Sequence, residues 1–213
     1  MLAKDVKQRI LKRLPAAIFP ALGLKRWKSS VHWFEDRNWS LIFVEFQPIS
    51  GYNAVVLNVG VGLLWYPKDY FSFDIGHRES NITPYESETQ FESEVTKLIH
   101  TAQTKVLKYQ SDFSNLETDY KAILAHQFTS EELWGSFHKG VISGLNQDAA
   151  SAIRYFNKLI SLKPESAFDA EIARHASMLR AYVTDPERFK LAVEDGIHQT
   201  RSHLNLPALK SEF

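Results

Sequence analysis

Cysteine is absent from the 213 residues. That absence excludes disulfides, thiolate metal sites and cysteine nucleophiles together, and it fits a reducing compartment. Net charge is absent too, since 25 Lys and Arg balance 25 Asp and Glu. No apolar run approaches the ~20 residues a membrane-spanning helix needs. The stretch after the first basic residues, Leu14-Pro-Ala-Ala-Ile-Phe-Pro-Ala-Leu-Gly-Leu24, is broken by two prolines, lacks an Ala-x-Ala cleavage pattern and runs straight into Lys25-Arg26-Trp27-Lys28. It does not read as a secretory leader, and a cytoplasmic location is expected.

Catalytic signatures are equally scarce. No Gly-x-x-x-x-Gly-Lys-Ser/Thr and no His-Glu-x-x-His occurs. Gly60-Val-Gly62 has no third glycine and falls inside a strand pattern, so it reads as a close backbone approach and not as a dinucleotide fingerprint. Ser143 in Gly140-Val-Ile-Ser-Gly144 is not centred between glycines after a strand, which rules out a nucleophile elbow. The two glycines are expected to let helices approach closely. Glu171 with His175, and Glu194 with His198, stand four residues apart on expected helices, where such pairs ordinarily serve surface electrostatics. Neither a metal nor a cofactor is implied, and the sequence leans away from an enzyme.

What is present is core-forming material and a lopsided charge layout. Hydrophobic residues make up 44% of the chain and aromatic residues 13%, a globular composition that fits one or two domains. Residues 1–30 carry eight basic side chains and one acid, whereas residues 31–100 carry four basic and ten acidic ones. Either the basic start is neutralised by the acidic middle, or it steers an external partner by Coulomb attraction. The candidate partner-binding residues are Lys12, Arg13, Lys25, Arg26, Trp27, Lys28 and Arg37.

Periodicity divides the chain into an α+β arrangement. Leu2, Val6, Ile10, Leu14 and Ile18 recur at helical spacing, and Gly23 is a natural stop. Four aromatic and β-branched runs follow, at 31–34, 39–46, 54–66 and 70–75, with connections too short for parallel crossovers. They predict an antiparallel meander. Six helices are expected near 86–108, 115–126, 130–144, 148–162, 167–182 and 186–203. Ser114-x-x-Glu117 and Thr129-x-x-Glu132 match capping boxes, and Asp185-Pro186 marks a third start. The expected division is a helix-plus-sheet domain over 1–110 and a helical region over 111–213, separate or on a shared core.

Two stretches resemble known families. Ala21-Leu-Gly-Leu-Lys-Arg-Trp-Lys28, Phe43-Val-Glu-Phe-Gln47 and Val56-Leu-Asn-Val-Gly60 resemble the bacterial domain-of-unknown-function family 4304 over residues 5–75 or so, with Leu24 where that family has phenylalanine and Glu45 where it has asparagine. The resemblance implies a fold and a bacterial origin and carries no catalytic residues. Residues 130–164, with Trp134, Phe137, Ala152, Tyr155, Phe156, Leu159 and Pro164, resemble a single tetratricopeptide-like hairpin. A lone copy cannot form a solenoid, which needs about three repeats.

The sum points to a non-enzymatic protein-binding module, of toxin-immunity or regulatory kind. Nucleic-acid binding through the basic segment and Trp27 is the alternative, and a small-molecule hydrolase or sensor a further one.

Overall fold

A computed structural model describes residues 3–28 and 30–208. The fold is α+β: an N-terminal helix, an antiparallel sheet, then six helices. Two compact units emerge, Met1–Leu63 with Ser72–Gln110, and Leu64–Phe71 with Ser111–Phe213.

In the first unit, α1 (Ala3–Ala16) ends earlier than its apolar stripe suggested. Pro15 and Pro20 interrupt the hydrogen-bond ladder, so a separate 3₁₀ turn covers Phe19–Leu22 and Gly23 closes it in the left-handed region at φ 81°. Val6, Ile10, Leu11 and Phe19 are buried; Leu2 lies outside the described residues. The strands are β1 (Lys25–Arg26), β2 (His32–Asp36), β3 (Ser40–Pro48), β4 (Ala54–Leu63), β5 (Ile75–Arg78) and β6 (Thr83–Pro84), and α2 (Glu88–Asp112) follows. The sheet order is β1-β2-β3-β4-β5, with β6 also on β4.

The register, with Trp33 opposite Val44 and Val44 opposite Val59, assigns each side chain to a face. One face holds Trp33, Glu35, Val44, Phe46 and Val59. Phe19 covers it, with its ring 5.4 Å from Trp33 and 6.3 Å from Phe46, and Gln110 of α2 donates to Glu35 Oε2. The opposite face holds His32, Phe34, Phe43, Glu45, Gln47, Asn58 and Gly60. Gly60 has a physical reason to lack a side chain: a Cβ there would lie 2.3 Å from the Ile75 carbonyl oxygen. The close backbone approach expected at this glycine is present.

Three strand expectations need correction. Lys25 and Arg26, outside the four expected strands, form edge strand β1. Tyr70–Phe73, read as a strand, is not one; the chain re-enters the sheet only at Ile75. The long apolar run also leaves the sheet after Leu63, because Leu64, Trp65 and Tyr66 bury in the second unit instead.

That unit contains α3 (Leu116–Ala125), a wide π-helical turn Glu131–Gly135, α4 (Ser136–Leu145), α5 (Ala149–Ile160), α6 (Ala167–Tyr182) and α7 (Pro186–His203). Helix α4 is its axis, buried at every position from Ser136 to Gly144. Gly140 faces the Phe156 ring of α5 and Gly144 the Phe189 ring of α7, so the absent side chains do admit close neighbours. The Leu64–Phe71 segment is tied in by three bonds. Trp65 Nε1 donates to His138 Nδ1 at 2.9 Å, Thr200 Oγ1 donates to the Tyr66 carbonyl at 2.8 Å, and the Lys68 amide donates to Thr200 Oγ1 at 3.3 Å.

Asp185 caps α7 as expected. The α3 box is shifted by one residue, to Asn115 and Thr118, because the amide oxygen of Asn115 reaches two backbone donors. The box expected at Thr129 does not form: Ser130 precedes the π-helical turn without a side-chain cap, and Glu131 accepts from the Phe128 amide and pairs with Lys139.

Candidate binding surface at the sheet edge

The basic N-terminal residues do not form one patch. On α1, Arg9 pairs with Glu88 and Arg13 with Glu92, both acids from the first two turns of α2. Arg37 is held by Glu35 at 2.6 Å, and that carboxylate also accepts from Gln110. Internal neutralisation therefore claims Arg13 and Arg37 among the candidates. Lys12 is half-buried on α1, apart in sequence and element from Lys25, Arg26, Trp27 and Lys28.

Lys25, Arg26 and Lys28 behave differently. They are exposed and form no ion pair or hydrogen bond through their side chains with any described carboxylate. Local chemistry explains their display. Strand β1 is only two residues long and lies at the sheet edge, so its side chains have a neighbour on one side only. The turn that follows is fastened at both ends: the Trp27 amide donates to the His32 carbonyl at 2.9 Å, Ser30 Oγ donates to the Trp27 carbonyl at 2.6 Å, and the His32 amide donates to Ser30 Oγ at 3.1 Å. Lys28 adopts φ 50° within it, a left-handed conformation.

Trp27 is half-buried. Its ring meets Phe34 edge-on at 5.6 Å and 72°, and Lys28 Nζ lies 5.2 Å from its centroid. The indole is thus already engaged with an aromatic ring and a cation. A stacked base would have to displace Lys28.

Beside the turn, a polar row crosses three strands on the same face. His32 Nε2 lies 3.0 Å from Glu45 Oε1, and Asn58 Nδ2 donates to Glu45 Oε2 at 2.9 Å and to Gln47 Oε1 at 3.0 Å. The hydrogen bond from His32 holds the Glu45 carboxyl below its ordinary range, outweighing burial, which pushes it upward. An imidazole on a carboxylate has the form of an acid–base pair. Both oxygens are engaged, however, so the row acts as a cross-strand tie that fixes β2 under the cationic turn.

This row was not read from the sequence as a unit. Its signal is the interruption of apolar strands by Glu45, Gln47 and Asn58 at positions that register pairs across β3 and β4. No family model, curated protein or solved structure matches the chain.

Elsewhere, no group of three His, Asp or Glu side chains gathers as a metal site among the described residues. Among the described residues no helix is long and apolar enough to cross a membrane.

Proposed function

We propose that the chain is a non-enzymatic protein-binding module, of inhibitory or regulatory kind, that docks an acidic surface of another bacterial protein on β1 and the Trp27–His32 turn. One observation carries the reading: Lys25, Arg26 and Lys28 stand exposed without carboxylate partners, although the same unit neutralises Arg9, Arg13 and Arg37. Charges left unpaired on a fixed edge steer association and set orientation more than they stabilise the fold.

The engagement of Trp27 favours a protein partner over single-stranded nucleic acid, which depends on open aromatic faces as well as cations. Paired baits test the proposal: the wild-type chain and the variant Lys25→Glu/Arg26→Glu/Lys28→Glu, each incubated with host lysate at ~50 mM salt, where exposed charges are weakly screened. A partner retained by the wild type and lost by the variant supports it. Recovery of the same proteins by both baits, or of nothing specific, contradicts it. Binding of a single-stranded oligonucleotide by the wild type that the variant abolishes would instead move the edge to the nucleic-acid reading.

A further inference from the structure

The second unit contains a cleft of about 220 Å³ lined by Tyr66, Pro67, Glu171, Arg174, His175 and Met178. Its composition is uneven. The floor is the Tyr66 ring, 4% exposed and held edge-on by Trp134, Phe137, Phe168 and His175 at 5.3 to 6.2 Å between centroids. Four rings pack edge-on around the phenol, and its hydroxyl makes no hydrogen bond among the described residues.

Burial, with the Glu171 charge nearby, pushes the Tyr66 hydroxyl up to about 12, so it remains a neutral donor. His175 Nε2 is a second polar atom without a partner, and burial lowers this imidazole's pKa, which keeps it uncharged. At the rim Arg174 faces Glu171 at 3.7 Å, both largely exposed, and Met178 adds a polarizable apolar wall. Buried polar atoms are normally satisfied, so the unpartnered His175 Nε2 beside the Tyr66 hydroxyl in a cleft marks a place for a ligand.

We infer that this cleft binds a small carboxylate on a short apolar body: the carboxylate accepts from the Tyr66 hydroxyl and the Arg174 guanidinium, and the apolar body lies on Pro67 and Met178. Arg174 is the one Lys or Arg among the lining residues, and a pair of its N–H donors together with the phenol's O–H is complementary to a planar acceptor. The volume admits roughly ten non-hydrogen atoms, given that a cavity of ~150 Å³ accommodates benzene. A ligand this small binds with a Kd of roughly 0.1–1 mM.

The experiment uses the whole chain and three probes of one shape, 3-phenylpropionate, 3-phenylpropanol and 3-phenylpropylamine, followed by ligand-observed NMR and calorimetry. The carboxylate binds, and the alcohol and amine bind at least tenfold more weakly. Tyr66→Phe, which keeps the ring packing, weakens the carboxylate about tenfold, and Arg174→Gln does the same, with Tm unchanged for the exposed Arg174 variant. A further arm, phenylalanine, asks whether Glu171 also accepts an ammonium: tighter binding than 3-phenylpropionate identifies an amino acid as the source of the carboxylate, and weaker binding a simple acid. Equal binding of all three probes, preference for the amine, indifference to both substitutions, or no binding at 5 mM overturns the inference.

Discussion

Adding one methyl group at Gly144 sets two effects of known sign against each other. Alanine is favoured over glycine inside a helix by about 1 kcal/mol, so helix propensity alone predicts a more stable protein. Against that, a Cβ at Gly144 would lie 2.3 Å from Phe189 Cζ and 2.5 Å from its Cε1, well inside the 3.4–4 Å of ordinary contact. Phe189 cannot simply swing away. It is 1% exposed, and its ring lies 6.3 Å from that of Phe156, which itself presses on Gly140 at 2.6 Å from the corresponding Cβ position. Overpacking of this kind costs roughly 1–3 kcal/mol. With the ring atoms this close the upper end applies, and the net expectation for Gly144→Ala is a loss of about 2 kcal/mol. Urea unfolding followed by tryptophan fluorescence reads this as a lower midpoint at unchanged slope, and hydrogen exchange over residues 136–145 locates it. Phe189→Leu made in the Gly144→Ala background is expected to recover more than half of the loss, so the two substitutions are strongly non-additive. A variant as stable as the wild type, or about 1 kcal/mol more stable, would refute the reasoning, because propensity would then be acting alone.

Other outcomes follow from the same contacts. Glu45 has its pKa lowered in the fold from a reference of 4.5, so its stabilisation is complete above about pH 4.5 and is lost as pH falls through the folded value; Glu45→Gln is expected to flatten that part of the stability–pH curve. His175 is also lowered, by burial, from a reference of 6.5. Protonation therefore favours the unfolded chain, and stability declines as pH drops below 6.5, a slope that His175→Phe removes and an NMR titration of the imidazole checks directly. Trp65→Phe deletes the donor to His138 Nδ1 in a fully buried position and is expected to cost about 2–3 kcal/mol in denaturant unfolding.

The helices were legible because their signals are local. Asp185 with Pro186 marks the start of α7, and the 167–182 and 186–203 spans coincide with α6 and α7. Capping is less legible than helix existence: at Ser114-Asn115 two good caps compete, and geometry chooses the one whose oxygen reaches both Glu117 and Thr118 amides. At Thr129 the carboxylate that should close the box is Glu132, whereas its neighbour Glu131 finds Lys139 eight residues on, a pairing set by tertiary structure.

The end of β4 was hidden for a related reason. Leu63, Leu64, Trp65 and Tyr66 are equally apolar, and only the partners at His138 and Thr200, more than 70 residues away, decide that the last three leave the sheet. The charge asymmetry was legible as a sum but not as a map. Glu88 and Glu92 recur at the helical spacing that matches Arg9 and Arg13, so two of the eight basic side chains of residues 1–30 are paired inside the first unit, whereas Lys25 and Arg26 stand exposed on the edge strand. The polar row His32–Glu45–Asn58 depends on strand register, which no single strand encodes.

The central claim is that Lys25, Arg26 and Lys28 steer an acidic protein partner. Its most direct test is the association rate constant of the captured partner as a function of ionic strength, for the wild type and for Lys25→Glu/Arg26→Glu/Lys28→Glu. Electrostatic steering predicts a wild-type rate that falls at least tenfold between ~50 and ~500 mM salt, and a variant that is slow and does not slow further with salt. A wild-type rate that does not respond to salt, or a variant that associates as fast as the wild type, would contradict the account.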